Sequence, residues 1–265
     1  MTSGSAGWQV SVRPGGGDPL RIVPLSTAGE VVAVAAGAEP APLPQLVYYD
    51  GPLLAAVEVF TVFWGSWSQA AEGAAVVEQV LAFFDFVLSS ELIEQLAEYS
   101  VPGQTIGRGS RIGTRTIATT PPGTSVSDGA IQQLLQQAIA AGTLPQPNAN
   151  TLFFLFLPPG IAVVQGRSRS CEAFCGYHNA SSSNLFYAVM PYPDCSGCLG
   201  GLSPLDALTT ASSHELCEAI TDPVPGQGWY DLAHGEIGDI CPWQTKKLGA
   251  YTVQLEWSNT RGACV

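Results

Sequence analysis

Ser212-Ser213-His214-Glu215-Leu216-Cys217-Glu218-Ala219-Ile220-Thr221-Asp222-Pro223 decides how this chain is read. The stretch is the second half of an expected helix. Its start lies upstream at Ser203-Pro204-Leu205-Asp206, which supplies a cap, a proline at the first position and an acid in the first turn. Leu205, Leu208 and Ala211 carry the helix into the motif, and Asp222-Pro223 stops it. His214 and Glu218 are four apart, so they lie one above the other. Glu215 is rotated about 100° from His214 around the axis. A His and a carboxylate at that spacing, with Glu directly after the His, is the arrangement of a zinc-hydrolase helix. There the outer pair holds the metal, and the inner Glu takes a proton from the attacking water. The second outer residue is ordinarily His, and here Glu218 stands in its place.

A hydrolytic zinc (Zn2+) needs about three protein ligands and one open position. The helix offers His214 and Glu218. The loop Trp229-Tyr230-Asp231-Leu232-Ala233-His234-Gly235-Glu236-Ile237-Gly238-Asp239-Ile240-Cys241 is dense in carboxylates, and its glycines allow tight turns. Glu236 is the expected third ligand, with Asp239 supporting it or taking its place. His178, in Cys175-Gly176-Tyr177-His178, is a further nitrogen donor. It would complete the site or, like Tyr230, stabilise an oxyanion. Simpler readings stand beside these. His214 and Glu218 can be an ordinary helix pair. Glu236 and Asp239 can be solvated loop charges, or ligands of calcium (Ca2+), which prefers oxygen. A set with two carboxylates is also more negative than usual for zinc, which favours weak hydrolysis or binding without catalysis.

Composition narrows the class. The chain has 265 residues, enough for a sizeable core, with 46% hydrophobic and 12% charged. A net charge of −12 repels a phosphate backbone or an anionic membrane, so nucleic-acid binding is not expected. No apolar run reaches the roughly 18 residues of a membrane span. Met1–Gly7 shows no basic stretch followed by an apolar one, so no signal peptide is visible.

Seven cysteines are present: Cys171, Cys175, Cys195, Cys198, Cys217, Cys241 and Cys264. Six lie outside the motif helix and can form three bridges. The Cys-x3-Cys and Cys-x2-Cys pairs could instead hold a structural zinc. Four thiolates would add negative charge to an already acidic chain, so disulfides in an exported protein are favoured. Cys217, inside the helix, is expected to be a buried free thiol.

Residues 1–46 read as an N-terminal extension or small β element. Arg21–Val23 and Glu30–Ala35 are its candidate strands, and Pro40, Pro42 and Pro44 mark an extended connector. From residue 47 to 265 a single domain is expected. Val47–Asp50 and Leu53–Trp64 read as strands, followed by a helix from Ser66 or Ser68 to about Leu88. A short helix, Glu91–Tyr99, and a strand, Arg111–Thr119, come next. Ser127 caps a helix over Asp128–Ala141. Thr151–Leu157 is an apolar strand that Ile161–Val164 either extends or pairs with, and Leu185–Met190 is a strand within the Cys-rich section. Tyr251–Trp257 is the last strand. This alternation predicts an α/β domain with a sheet flanked by helices.

The array Val62-Phe63-Trp64-Gly65-Ser66-Trp67, Phe174-Cys175-Gly176-Tyr177-His178, Ser213-His214-Glu215-Leu216-Cys217-Glu218-Ala219, Trp229-Tyr230 and Glu236-Ile237-Gly238-Asp239-Ile240-Cys241 resembles the EXORDIUM (phosphate-induced protein) family of secreted, wall-associated plant proteins and their bacterial relatives. Motif order and spacing match from about residue 47 to the C-terminus. The chain departs at Cys217, where relatives carry a small residue, and in a shorter segment before Glu236. The resemblance implies an exported protein with a disulfide-stabilised C-terminal half and a zincin-like mixed sheet. It also implies a polar cluster of His214, Glu215, Glu218, Glu236 and Asp239, joined by His178. The expected function is a zinc metallohydrolase acting on peptide or amide bonds, with Glu215 as general base. The alternative is a non-catalytic extracellular module that binds a cell-wall glycan or a protein partner, with Trp64, Trp67, Trp229 and Trp243 as stacking rings.

Overall fold

The structure, a computed structural model, describes residues 22–26, 43–67, 71–121, 123–181 and 185–265. The expected strand at Glu30–Ala35 and the start of the helix after Ser68 lie outside these residues.

Six strands form the central sheet. From one edge to the other they are Ser110–Ile117, Glu58–Trp64, Thr151–Phe156, Phe186–Met190, Phe174–Ala180 and Ile22–Pro24. The first four run parallel, with Glu58 opposite Thr151 and Phe186 opposite Leu152. Phe174–Ala180 turns back antiparallel to Phe186–Met190, and Ile22–Pro24 pairs antiparallel with it in turn. Every residue of Thr151–Phe156 is buried, as a strand covered on both faces requires.

Helices cover both faces. Val62, Trp64, Phe153, Leu155, Tyr187 and Val189 pack against Ile131 and Leu135 of the helix Asp128–Ala140. The opposite face presents Phe63, Phe154, Phe156 and Met190 to Phe83, Phe84 and Val87 of the helix Ala71–Val87, and to the motif helix Pro204–Thr221. The result is a three-layer mixed α/β fold.

Three elements differ from those expected. Ala162–Gln165 does not join Thr151–Phe156. It pairs with Ser125–Ser127 and Ser168–Arg169 in a small separate sheet, because Pro158-Pro159-Gly160 turns the chain, with Gly160 at φ +81°. The C-terminal strand divides into Tyr251–Gln254, paired with Thr245–Leu248, and Trp257–Ser258, paired with Ala263–Cys264. Phe174–Ala180 is a strand although its sequence lacks clear alternation.

Three disulfides join Cys171 to Cys195, Cys175 to Cys198 and Cys241 to Cys264, and Cys217 is a buried free thiol. Among the described residues, no helix is long and apolar enough to cross a membrane.

Candidate metal centre

The motif helix is capped as its sequence suggests. Ser203 Oγ accepts the Asp206 N–H at 3.2 Å, Pro204 occupies the first turn, and the Asp222 N–H closes the far end on the Glu218 carbonyl at 2.7 Å. Every residue from Ala207 to Thr221 is buried. The helix lies between the strands Phe174–Ala180 and Phe186–Met190 on one side and Tyr251–Gln254 on the other. A helix buried on all sides is ordinarily apolar throughout. This one carries Ser212, Ser213, His214, Glu215, Glu218 and Thr221 into the interior. Two of its hydroxyls are satisfied locally, with Ser213 donating to the Thr210 carbonyl at 2.8 Å and Thr221 to that of Cys217 at 2.9 Å. The ionisable groups need partners from elsewhere.

Those partners come from two segments outside the helix. The strand Phe174–Ala180 brings in His178, whose Nδ1 lies 3.0 Å from Glu215 Oε2 and 3.5 Å from Glu218 Oε2. His214 Nε2 lies 3.0 Å from Glu218 Oε1 and 4.0 Å from Asp239 Oδ1. The loop before Cys241 supplies Asp239, whose N–H donates to Glu218 Oε1 at 3.2 Å and whose Oδ2 accepts the Glu236 N–H at 3.1 Å. Two metal-sized clusters result, one of His178, Glu215 and Glu218, the other of His214, Glu218 and Asp239. In each the ligand atoms lie within 4.8 Å of one another, and Glu218 belongs to both.

The expected third ligand, Glu236, stands elsewhere. It is fully buried on the far side of His178, with Oε1 3.4 Å from Nε2, and is outside both clusters. Tyr230 sits in a two-residue ladder with Val47–Tyr48. The Cys171–Cys195 and Cys175–Cys198 bonds take up the thiols of the alternative zinc site. Of the tryptophans expected to stack on sugars, Trp64 and Trp67 are in the core, and Trp229 packs between Tyr48 and Tyr99.

Three further residues complete the cluster and were not singled out in the sequence. Asp222, read there only as a helix stop, accepts the N–H groups of Gly226, Gln227 and Gly228, while its carbonyl faces His178 Nε2 at 3.2 Å. Gln254 reaches His214 from the C-terminal hairpin, and Glu256 is fully buried near Cys217. All three have unremarkable neighbours in sequence, and only the packing brings them to the motif.

The electrostatics are dominated by acid. Glu215, Glu218, Asp222, Glu236 and Glu256 are completely buried and Asp239 is nearly so, against two imidazoles. Burial raises the Glu215 pKa, although His178 draws it back. Burial and then Glu236 push Asp222 well up, and burial and then Glu218 push Asp239 up to about 8. Burial acts the same way on Glu218, but His214 and His178 outweigh it and hold that carboxyl down to about 2. Burial lowers both imidazoles, and the carboxylates around them prevail: Glu236 foremost for His178, Glu218 foremost for His214. Both end well above the usual histidine range. So many acids in a dry interior are costly unless cations compensate them.

The donor atoms suit such a cation. His214 Nε2 and Glu218 Oε2 are both buried without a hydrogen-bond partner, His214 Nε2 lying at ion-pair distance from Glu218 without hydrogen-bond alignment. The two imidazoles differ in readiness. His178 Nε2 donates its N–H to the Asp222 carbonyl and turns Nδ1 toward Glu215 and Glu218, the outer support typical of a metal-binding His. His214 is held by Gln254, whose Oε1 accepts the Trp243 N–H at 3.1 Å and whose Nε2 donates to the Gly238 carbonyl at 2.9 Å. The remaining N–H of Gln254 faces His214 Nδ1 at 2.8 Å, so a neutral ring carries its proton on Nε2. A metal at His214 must displace that proton, and the ring and Gln254 must adjust together.

Compared with protein-family models and with curated proteins, the chain matches no family model and no curated protein.

Proposed function

We propose that this chain is an exported, zincin-like metallohydrolase of the EXORDIUM type, with zinc as its metal and a peptide or small amide as its substrate. The observation that carries the reading is the position of Glu218, shared between two imidazoles in a buried cluster rich in uncompensated acid. His214, Glu218 and Asp239 would hold the ion. Zinc, when bound, supplies a Lewis acid for the carbonyl under attack. Each cluster includes an imidazole nitrogen, which suits zinc better than calcium, an ion that prefers six to eight oxygens. Glu215 accepts the proton of the attacking water and passes it to the leaving nitrogen. His178 Nδ1, 3.0 Å from Glu215 Oε2, fixes the direction of that carboxylate.

A second reading rests on the tautomers. His178 need only give up its Nδ1 proton, with Nε2–H still on the Asp222 carbonyl, so the cation could sit on His178, Glu215 and Glu218, with Glu215 as a ligand. The domain would then be a binding module stabilised by its metal. Glu215→Gln separates the two. The hydrolase reading expects the variant to keep stoichiometric zinc and lose peptide hydrolysis by about a thousandfold or more. Loss of zinc from the variant selects the second reading, and a wild-type protein that takes up no zinc defeats both.

A further inference from the structure

We propose that the outer edge of Phe174–Ala180 is the binding groove for an extended polypeptide, and that the chain's own Ile22–Ser26 occupies it as a stand-in for substrate. The proposal rests on the reading of Glu215 as the residue that acts on substrate, and it names the form in which substrate binds.

Four observations converge on this segment. Ile22–Pro24 lies antiparallel on Phe174–Ala180, with Ile22 opposite Tyr177 and Pro24 opposite Phe174. An edge strand left unpaired is a template for another chain, and adding a strand there is a common mode of peptide recognition. Second, the Val23 N–H points at Glu215 Oε1, 3.3 Å away. The proposed base thus accepts from a peptide nitrogen, which belongs to the class of bond that the reaction would split. Third, the Val23 side chain is completely buried. Fourth, the rest of the segment is tied down at points that can be named. Trp243 Nε1 donates to the Pro24 carbonyl at 2.7 Å, the Ser26 N–H donates to the Gly197 carbonyl at 2.7 Å, and Leu25 rests against Gly197. Pro24 offers no N–H to a further strand, so pairing ends at this segment. The fully buried state of Glu215 and Glu218 goes with an occupied groove.

An occupied groove excludes a competing peptide by mass action, because a tethered strand competes at an effective concentration of roughly millimolar. The probe is a fluorescent nonapeptide with the sequence of residues 19–27, and binding is read by anisotropy on the full chain in the presence of chelator. Val23→Asp puts an unpaired carboxylate at a completely buried position beside the acidic cluster and expels the segment. Trp243→Phe removes the indole donor to Pro24 and loosens it without touching the acidic cluster, so it carries the test if Val23→Asp does not fold. The expected result is that either variant binds the peptide at least about tenfold more tightly than wild type, and that a peptide with Asp at its Val position does not bind. Equal affinity for wild type and folded variants, or no binding to any of them, overturns the proposal. Because the readout needs neither metal nor turnover, the two readings fail separately. Peptide capture by a chain that takes up no zinc defeats the hydrolase alone. Hydrolysis by a zinc-loaded chain whose variants gain no peptide affinity defeats the groove alone.

Discussion

Glu218 divides its carboxylate between two histidines from opposite sides of the site: Oε1 is 3.0 Å from His214 Nε2, and Oε2 is 3.5 Å from His178 Nδ1. One residue therefore joins the helix to the strand Phe174–Ala180. Glu218→Gln keeps the shape and removes the charge. Zinc affinity is expected to fall by about a hundredfold or more. The chelated protein should also lose about 3 kcal/mol, since a buried pair loses one member. Metal titration and urea denaturation measure the two effects.

The metal-free cluster sets an unusual pH dependence. Glu218, depressed to about 2, contributes stability that is present above its ordinary value and lost as pH falls toward 2. Asp239, raised to about 8, acts in the other direction: its unfolded form ionises near pH 4 while the folded form resists, so stability declines as pH climbs to about 8. The raised His178 and His214 likewise contribute stability that is full below their unfolded value and lost as pH rises through the folded one. Chelated protein should therefore melt several degrees higher at pH 6 than at pH 8, a drop that zinc abolishes. Melting curves at both pH values, with and without zinc, provide the check. A chelated protein equally stable at pH 6 and pH 8 contradicts this account of the cluster.

Cys217 is completely buried, and burial holds its thiol well above the ordinary value. With six cysteines in disulfides, a thiol reagent should find no reactive group in the native protein and one after denaturation. More than one thiol on unfolding without reductant would falsify the pairing.

Much of the fold was legible because burial writes itself into local pattern. Leu152–Leu157 is apolar at every position, and Ser203-Pro204 marks a helix start without help from tertiary structure. The strand that carries His178 was not legible. Phe174-Cys175-Gly176-Tyr177-His178-Asn179-Ala180 mixes turn-forming and β-forming residues, and it is a strand because Cys175–Cys198 and two neighbouring strands hold it. The same limit applies to the site. His214, Glu215 and Glu218 are related by helix geometry alone, so their spacing exposes them. Gln254 and Val23 reach the same cluster from 40 positions after His214 and 192 before Glu215, and no local pattern carries that information.

Gly238 offers a test of which imidazole takes the metal. A methyl group added there would stand 2.7 Å from His214 Nδ1 and 2.8 Å from Cε1, too close for the ring to keep its place. The carbonyl of the same residue accepts from Gln254, the side chain that holds His214 Nδ1. Gly238→Ala therefore displaces the ring without removing any charge from the cluster. Crowding of this kind costs about 1–3 kcal/mol, which a 265-residue chain with a large core and three disulfides should tolerate. If His214 ligates zinc, affinity should fall by about tenfold or more while the circular dichroism spectrum stays unchanged. If zinc sits on His178, Glu215 and Glu218, the variant should keep most of its affinity, because the added methyl meets His214 first and that corner feels it only through the shared Glu218. Isothermal titration of the two proteins with zinc, after chelation, assigns the metal to one imidazole or the other.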